Sequence, residues 1–382
     1  MFRIEIFDQI AEPVDFGPIP EDTEIVEDYE TLEQYDVRVP KIMTDVTAGQ
    51  LFRIVDENNK EITAGMVKSV AYEDEYTVLA CAHILAVLDY NAANPVHDDY
   101  SSSASYDGGR IYIENTVQFL NGATSRLKDD VYKEDSTVGI YFHFGSSLAS
   151  GSAVKKFNLK ATANLFEVWK EGRSLENMTF DKRYSKFEFQ SQYNPHTDYN
   201  LYCNYNENII TIDADLPNVL ERDINVSSQN GAANCALVYL YTKRDDEVTY
   251  VETRYYYRHP DGTVDQSNLP DGIIHPIIRA YIEIQKDENK TDAENYIICL
   301  NRATEALKDA EKQNEIRLTY SVDDKLMEGL FDNANTVIVK SRGMSYTTLF
   351  TGSRRRGKRI TYYFGDARTE LTAKLTQERR NK

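Results

Sequence analysis

Short segments in which apolar and polar residues alternate, each closed by Gly, Asn, Asp or Pro, constrain this chain most. Ile316-Arg-Leu-Thr-Tyr320, Thr336–Lys340, Tyr346–Phe350 and Arg359–Phe364 are such segments in the last third. Gln50–Val55 and Lys60–Ala71 flank the turn-forming Asp56-Glu-Asn-Asn59 and read as a hairpin. In the middle, Lys186–Gln190, Leu201–Tyr205 with Ile209–Asp213 across Asn206–Asn208, and Cys235–Thr242 with Glu247–Tyr257 give strands at the spacing of a sandwich or barrel. A two-residue period buries one face of a sheet, so the chain must be built mainly from sheets.

Three stretches carry a helical period instead. Thr116–Lys128 places Val117, Leu120, Thr124 and Leu127 on one side. Ala161–Glu171 places Leu165, Val168 and Trp169 on one face, with Gly172 at the position of a C-terminal cap. The third begins at Thr291-Asp-Ala-Glu294, a capping box, and carries Ala293, Tyr296, Ile297, Leu300, Thr304 and Leu307. Trp169 reads as core. A chain of 382 residues exceeds one compact core and implies two to four domains. The fold class is α+β: β-rich and multidomain, with flanking helices and a central β-rich region.

Charge is unevenly distributed. The chain carries a formal charge of -19, which opposes a tight grip on nucleic-acid phosphates. Residues 1–36 hold twelve acidic side chains and one basic, Arg3, and are interrupted by Pro13, Pro18 and Pro20. They read as an extended acidic arm, either solvated or lying on a neighbouring subunit. The opposite holds from Gly352 to Lys382, with ten Lys/Arg against three Asp/Glu.

Specific chemistries find little support in the sequence. Cys81, Cys203, Cys235 and Cys299 are scattered without CxxC spacing, so no zinc site or disulfide framework is indicated. Asp56, Asn58 and Lys60 have the spacing of a calcium loop but lack its glycine and distant glutamate. Loop 92–109 contains His97-Asp98-Asp99 and Ser101–Ser103, yet no nucleophile elbow or zinc-protease helix motif is present. The six histidines fall in six separate segments. No cofactor is expected. The longest apolar run, Val78–Leu88, is too short to cross a bilayer as a helix, so no stable membrane insertion is expected. The amino terminus lacks the pattern of a signal peptide, which implies synthesis in a cytoplasm.

The carboxy-terminal pattern supplies a resemblance. A strand ending in Phe364-Gly365-Asp366-Ala367-Arg368 is followed by Glu370-Leu371-Thr372 in a closing helix that carries Ala367, Leu371 and Leu375. A helix with Asn301-Arg302-Ala303 and Ala306-Leu307 precedes it. This arrangement resembles the tube domain of phage tail-tip hub proteins, the tail-associated lysin (Tal) family of siphophages, relatives of the contractile-tail baseplate hub. The hairpin and apolar segment up to Leu88-Asp89 are similar to the first tube domain of that family. The resemblance implies two small tube-type β-barrel domains: an acidic arm over 1–41, a first barrel with helix over 42–130, central β-rich domains over 131–290, and a helix with a second barrel over 291–382. It implies a homotrimer whose six barrels match a six-fold tail ring, a virion location at the tail tip or baseplate, and synthesis in the host cytoplasm. The implied partners are the distal tail ring protein, the tape measure protein and receptor-binding proteins. DNA would only pass through the channel, past acidic or neutral walls. The lysin activity found in longer relatives is not expected here. The competing reading is a carbohydrate- or receptor-binding tail module in which the central tyrosines and Trp169 stack on sugars.

The basic run Arg354, Arg355, Arg356, Lys358 and Arg359 is the candidate interface. Bracketed by Gly352 and Gly357, it reads as a hairpin loop at a barrel rim. Three roles are open to it: solvated surface, contact with DNA phosphates, or docking on an acidic neighbour. A collar that held phosphate would oppose ejection, which favours docking on the tail ring or on the acidic arm 1–36 of an adjacent subunit.

Overall fold

The computed structural model describes residues 2–8, 11–89, 104–107, 110–113, 119–120, 140–144, 157–160, 163–176, 178–189, 197–205, 209–226, 233–244, 247–259, 264–266, 279–287, 289–307, 314–332 and 336–365. All but Phe119 and Leu120 of the helix expected over Thr116–Lys128, most of loop 92–109, the Gly145–Ser152 connection and the terminal helix beyond Gly365 lie outside these residues. The fold is β-rich with few helices, as the alternating segments require.

Phe2–Phe7 (β1) pairs antiparallel with Pro13–Ile19 (β2). Ile25–Asp28 (β3) leaves this pair. Tyr35–Val39 (β4), Leu51–Val55 (β5), Glu61–Glu73 (β6) and Tyr76–His83 (β7) then complete a six-stranded sheet in the order β2-β1-β5-β6-β7-β4. The sheet curls until its two edge strands meet. A Cβ added at Gly17 of β2 would lie 2.5 Å from Val39 Cγ1 of β4, so only glycine allows that approach. Ile4, Ile6, Val37, Val39, Phe52, Ile54, Val67, Leu79 and Cys81 fill the inside. Each such aliphatic or aromatic side chain contributes roughly 1.5–3 kcal/mol by leaving water. The acidic segment is therefore not a separate arm. Strands β1, β2 and β4 are built into the first sheet because their alternate residues are apolar, and the carboxylates sit on the outward positions or in turns.

Ala86–Asp89 (α1) follows β7. Ala104–Asp107 (β8), Arg110–Ile113 (β9), Ile140–Phe144 (β10) and Phe157–Lys160 (β11) come next, and β8, β9 and β11 form a small sheet in the order β11-β9-β8. Leu165–Glu176 (α2) starts at a reciprocal cap: Glu167 N donates to Asn164 Oδ1 at 2.9 Å and Asn164 N to Glu167 Oε2 at 3.0 Å. It runs through Gly172 instead of ending there, because Arg173 in the next position is 2% exposed and anchors this turn of the helix. Trp169 is fully buried, as its place on the apolar stripe predicts. Met178–Phe180 (β12), Lys186–Phe189 (β13) and Thr197–Tyr205 (β14) follow. Strand β14 pairs parallel with β10 and antiparallel with β12 and β13.

Ile210–Asp213 (β15) and Glu221–Val226 (β16) belong to a second large sheet. The hairpin expected across Asn206–Asn208 does not form: β15 instead pairs parallel with a distant strand, Ile210 opposite Val337 and Ile212 opposite Val339. Cys235–Arg244 (β17), Glu247–Arg258 (β18), Val264–Asp265 (β19) and Arg279–Gln285 (β20) make a separate sheet ordered β19-β18-β17-β20. Asp292–Leu307 (α3) packs on it. Its capping box is present, with Thr291 N donating to Glu294 Oε2 at 2.7 Å. The buried face is Asn295, Cys299, Ala303 and Leu307, with Tyr296 and Leu300 beside it, whereas Ile297 is exposed. The stripe is thus rotated from the one marked by large residues, because small and polar side chains make the close contact.

Asn314–Ser321 (β21), Thr336–Ser341 (β22), Met344–Arg356 (β23) and Arg359–Phe364 (β24) complete the second large sheet, ordered β15-β22-β23-β24-β21-β16. Contacts divide the chain into residues 1–223 with 317–382 as one unit and 224–316 as another. Helix α3 belongs with the sheet of β17 to β20, and both large sheets belong to one unit.

Two observations within the larger unit generate predictions. Strand β23 bends at a bulge between Phe350 and Gly352 and there accepts β3 as a neighbour. Gly352 has φ +140°, and a Cβ on it would meet Glu27 O at 2.0 Å. Gly352→Ala is expected to displace β3 and cost about 3 kcal/mol, read as a lower Tm together with faster amide exchange over Ile25–Asp28. The second observation is a contact between the first sheet and β13–β14. Phe7 stacks on Phe187 with centroids 4.1 Å apart, and Phe187 meets Tyr199 edge-on at 4.9 Å. Tyr199 Oη donates to Glu61 Oε1 at 3.5 Å, while Glu61 Oε2 is shut off from solvent without a hydrogen-bond partner. Burial raises this carboxyl to about 7 from an ordinary 4.5. The folded state therefore keeps a proton that the unfolded chain has lost, and stability falls as pH rises from about 4.5 to about 7. Glu61→Gln should remove that slope and stabilise the protein above neutral pH by up to about 3 kcal/mol, measurable by denaturant titration at acid and alkaline pH.

Candidate assembly interface

The acidic and basic runs meet. Strand β3 pairs antiparallel with β23, placing Asp28, Glu27, Val26 and Ile25 opposite Gly352, Ser353, Arg354 and Arg355. The chain reaches this position through a turn held by one carboxylate. Asp28 is fully buried and accepts from the backbone amides of Glu30, Thr31 and Glu33 at 2.8, 3.1 and 2.9 Å, and from the Thr31 hydroxyl. Several donors thus satisfy this buried acid, which fixes the turn into β4.

Its neighbours reach three other parts of the unit. Glu27 accepts from Lys182 Nζ at 2.6 Å and from Ser353 Oγ at 3.1 Å. Burial pushes its carboxyl up, but Lys182, His83 and the two hydrogen bonds outweigh that and hold it below the usual range. Glu30 receives Arg173 Nη1 at 2.7 Å and Lys170 Nζ at 3.4 Å, both from α2. The Arg173 guanidinium lies over the rings of Tyr29 and Trp169, at 5.7 and 5.6 Å. Tyr29 also packs edge-on against His83 and Phe350.

The candidate cations are placed as follows. They do not form a free loop: Arg354, Arg355 and Arg356 end β23, Arg359 begins β24, and only Gly357 and Lys358 form the turn. Arg354 pairs with Glu33 and with Glu24, the latter at 3.3 Å. Burial opposes its charge, but the Glu33 hydrogen bond and the surrounding anions outweigh this and raise its pKa. Arg355 lies 4.6 Å from the Phe2 ring centroid and is partly withdrawn from water, which lowers its pKa. Arg359 bonds to Glu221 Oε1 at 2.6 Å. Arg356 and Lys358 remain outward. Arg356 lines an open polar depression of about 460 Å³ with Asp22, Glu24, Gln34, Tyr35 and Asp36. Arg354 thus pairs with its own chain's amino-terminal segment, which the addition of β3 to β23 brings alongside. Arg173, Lys182 and the buried Glu27–Asp28 pair escape sequence reading. Their one signal is that Glu27 and Asp28 follow Ile25-Val26 directly and precede Tyr29, an apolar setting for two acids.

No family model matches the sequence, and no curated protein is significantly similar to it. Solved structures do share its fold. A chain of the phage P2 baseplate in its activated conformation with Ca is 15% identical, with 96% of this chain and 99% of that one aligned at a TM-score of 0.51. A topological model of the P2 virion baseplate in activated conformation contains a chain 14% identical, with 97% and 100% aligned at 0.52. Prophage tail protein gp18 from Listeria monocytogenes EGD-e is 10% identical, with 99% and 98% aligned at 0.48.

The geometry separates cations that hold the fold from cations left for a partner. Arg354→Ser should lower stability by about 1–2 kcal/mol, since Glu24 and Glu33 lose a half-buried partner. The double variant Arg356→Ser/Lys358→Ser should leave Tm unchanged. Thermal denaturation of the two variants side by side checks this.

Proposed function

We propose that this chain is a structural hub of a phage tail tip or baseplate. The observation that carries the reading is the whole-length fold shared with a phage P2 baseplate chain, over 96% of one and 99% of the other. The two large sheets of the larger unit support it, as candidates for the two tube-type barrels. Three copies in a ring would present six such sheets to a six-fold tail ring, and closed cyclic symmetry is the common solution for such assemblies. In this reading the hub sits in the virion, contacts the distal tail ring and tape measure proteins, carries receptor-binding proteins at its periphery, and lets DNA pass along its axis. Arg356 and Lys358 are the cations that remain to dock on an acidic neighbour. The chain acts by assembly and not by cleaving a substrate.

The competing reading, a carbohydrate-binding tail module, loses Trp169, which is fully buried. It retains the exposed Tyr250, Tyr255 and Tyr281 on the sheet of the smaller unit.

Native mass spectrometry of the purified protein, alone and with its tail ring protein, tests the hub reading. A trimer is expected, with ring binding weakened by Arg356→Ser/Lys358→Ser and more so at high salt. A hexamer, or a monomer indifferent to the ring protein, would overturn it.

A further inference from the structure

The contact between the first sheet and β13–β14 is closed over a carboxyl whose neighbouring cations are engaged elsewhere. Glu61 begins β6, and three cations face it from other elements: Arg53 of β5, Lys182 after β12 and Lys186 of β13. Each holds another carboxylate. Arg53 Nε donates to Glu5 Oε2 at 2.6 Å, Lys182 Nζ lies 2.6 Å from Glu27 Oε1, and Lys186 Nζ lies 2.9 Å from Glu188 Oε1. Lys60, next to Glu61 in sequence, reaches Glu328 Oε1 at 3.3 Å. The Glu27 carboxylate of β3 opposes a second negative charge at Glu61, and His83 of β7 faces Glu27 in turn. The donor that does reach Glu61 is the Tyr199 hydroxyl of β14, at a long 3.5 Å.

A neutral carboxyl can lie dry in such a place. An ionised one needs water or a counter-ion, since burying an uncompensated charge is costly. Water reaches Glu61 Oε2 only if Tyr199 and its neighbour Phe187 withdraw. The element that carries Phe187 is short. Strand β13 has four residues and pairs with Thr197–Asn200 of β14. A two-stranded ladder of that length is marginal without a surface behind it. Its backing is the first sheet, where Phe187 stacks on Phe7 and the Arg53 guanidinium lies 5.5 Å from the Phe7 ring and 5.6 Å from the Phe187 ring. The least costly escape for the charge is therefore local.

We propose that Glu61 is a proton-operated latch, which holds β13 and Thr197–Asn200 against the first sheet while protonated and releases them when ionised. The direction follows from the two environments. Closed, the carboxyl titrates at about 7; open and hydrated, it returns to the ordinary 4.5. The open form thus loses its proton first, and opening grows more frequent as pH rises through that interval and levels off above it. Tyr199 stays protonated throughout, because burial lifts its hydroxyl well above the usual range. Release uncovers Phe7, which is 5% exposed in the closed form. The latch lies within one chain, so it stands or falls apart from the hub reading.

Amide exchange of the full chain, read peptide by peptide with rates corrected for the chemistry of exchange, tests the proposal. In wild type the amides of β13 and Thr197–Asn200 should exchange through an opening that low denaturant concentrations hardly change, unlike those of β23 and β24. The frequency of that opening should rise by roughly two orders of magnitude between about pH 4 and about pH 8. Glu61→Gln should abolish the rise, which separates this carboxyl from His83. Glu5→Gln releases Arg53 to pair with Glu61 and should shrink the rise in an otherwise intact latch. Exchange of β13 that follows β23 and β24 in denaturant at every pH, a wild type without the rise, or a rise that persists in Glu61→Gln or is undiminished in Glu5→Gln would each overturn the proposal.

Discussion

The larger unit depends on one strand crossing between its sheets. Strand β3 is covalently part of the segment that builds the first sheet, yet its backbone is bonded to β23 of the second. Without Gly352 the two strands could not approach, because Glu27 O occupies the space where a side chain would begin. The four backbone pairs alone are a modest interface. Its strength comes from what β3 brings with it, a set of carboxylates whose donors lie on three other parts of the unit. Glu27 ties β3 to Lys182, Glu30 ties it to α2, and Glu24 and Glu33 tie it to Arg354.

Burying charge is costly unless each ion is paired and hydrogen-bonded. The site meets that condition through Asp28 and Glu27, and it gains specificity in return. An apolar strand could slip by a register pair, whereas Glu27 fits only where both Ser353 and Lys182 reach it. The same logic explains why the acidity of the amino terminus and the basicity of the carboxy-terminal hairpin coexist in a chain of net charge -19. They pair across the chain, with Arg354 and Glu33 separated by 321 positions of sequence. What remains outside, Arg356 and Lys358, is the part of the basic run that can meet another molecule.

Local features were legible from sequence where local physics decides them. The turn at Asp56–Asn59 follows from its residues, the capping box at Thr291 from two side chains, and the burial of Trp169 from helical spacing. The β-rich class and the tail-hub resemblance follow from the order of such elements. Features decided by distant partners were not legible. The acids of residues 21–36 look solvated because their donors lie in α2, after β12 and in β23. Ile209–Asp213 looks like half of a hairpin because the strand it joins begins at Thr336. The contact face of α3 was misplaced because Cys299, Ala303 and Asn295 count for little on a hydrophobicity scale, although small residues allow the closest packing. Gly172 looked like a helix stop because Arg173 is anchored by a residue in the amino-terminal segment.

The central claim is that the acidic amino-terminal segment is held by its own chain. Zero-length carbodiimide cross-linking of a one-to-one assembly of isotopically light and heavy chains tests it directly, because Glu27 and Lys182 stand 2.6 Å apart. Cross-linked Glu27–Lys182 peptides should be light–light or heavy–heavy only. A substantial fraction of light–heavy pairs at this position would mean that the segment reaches across to a neighbouring subunit.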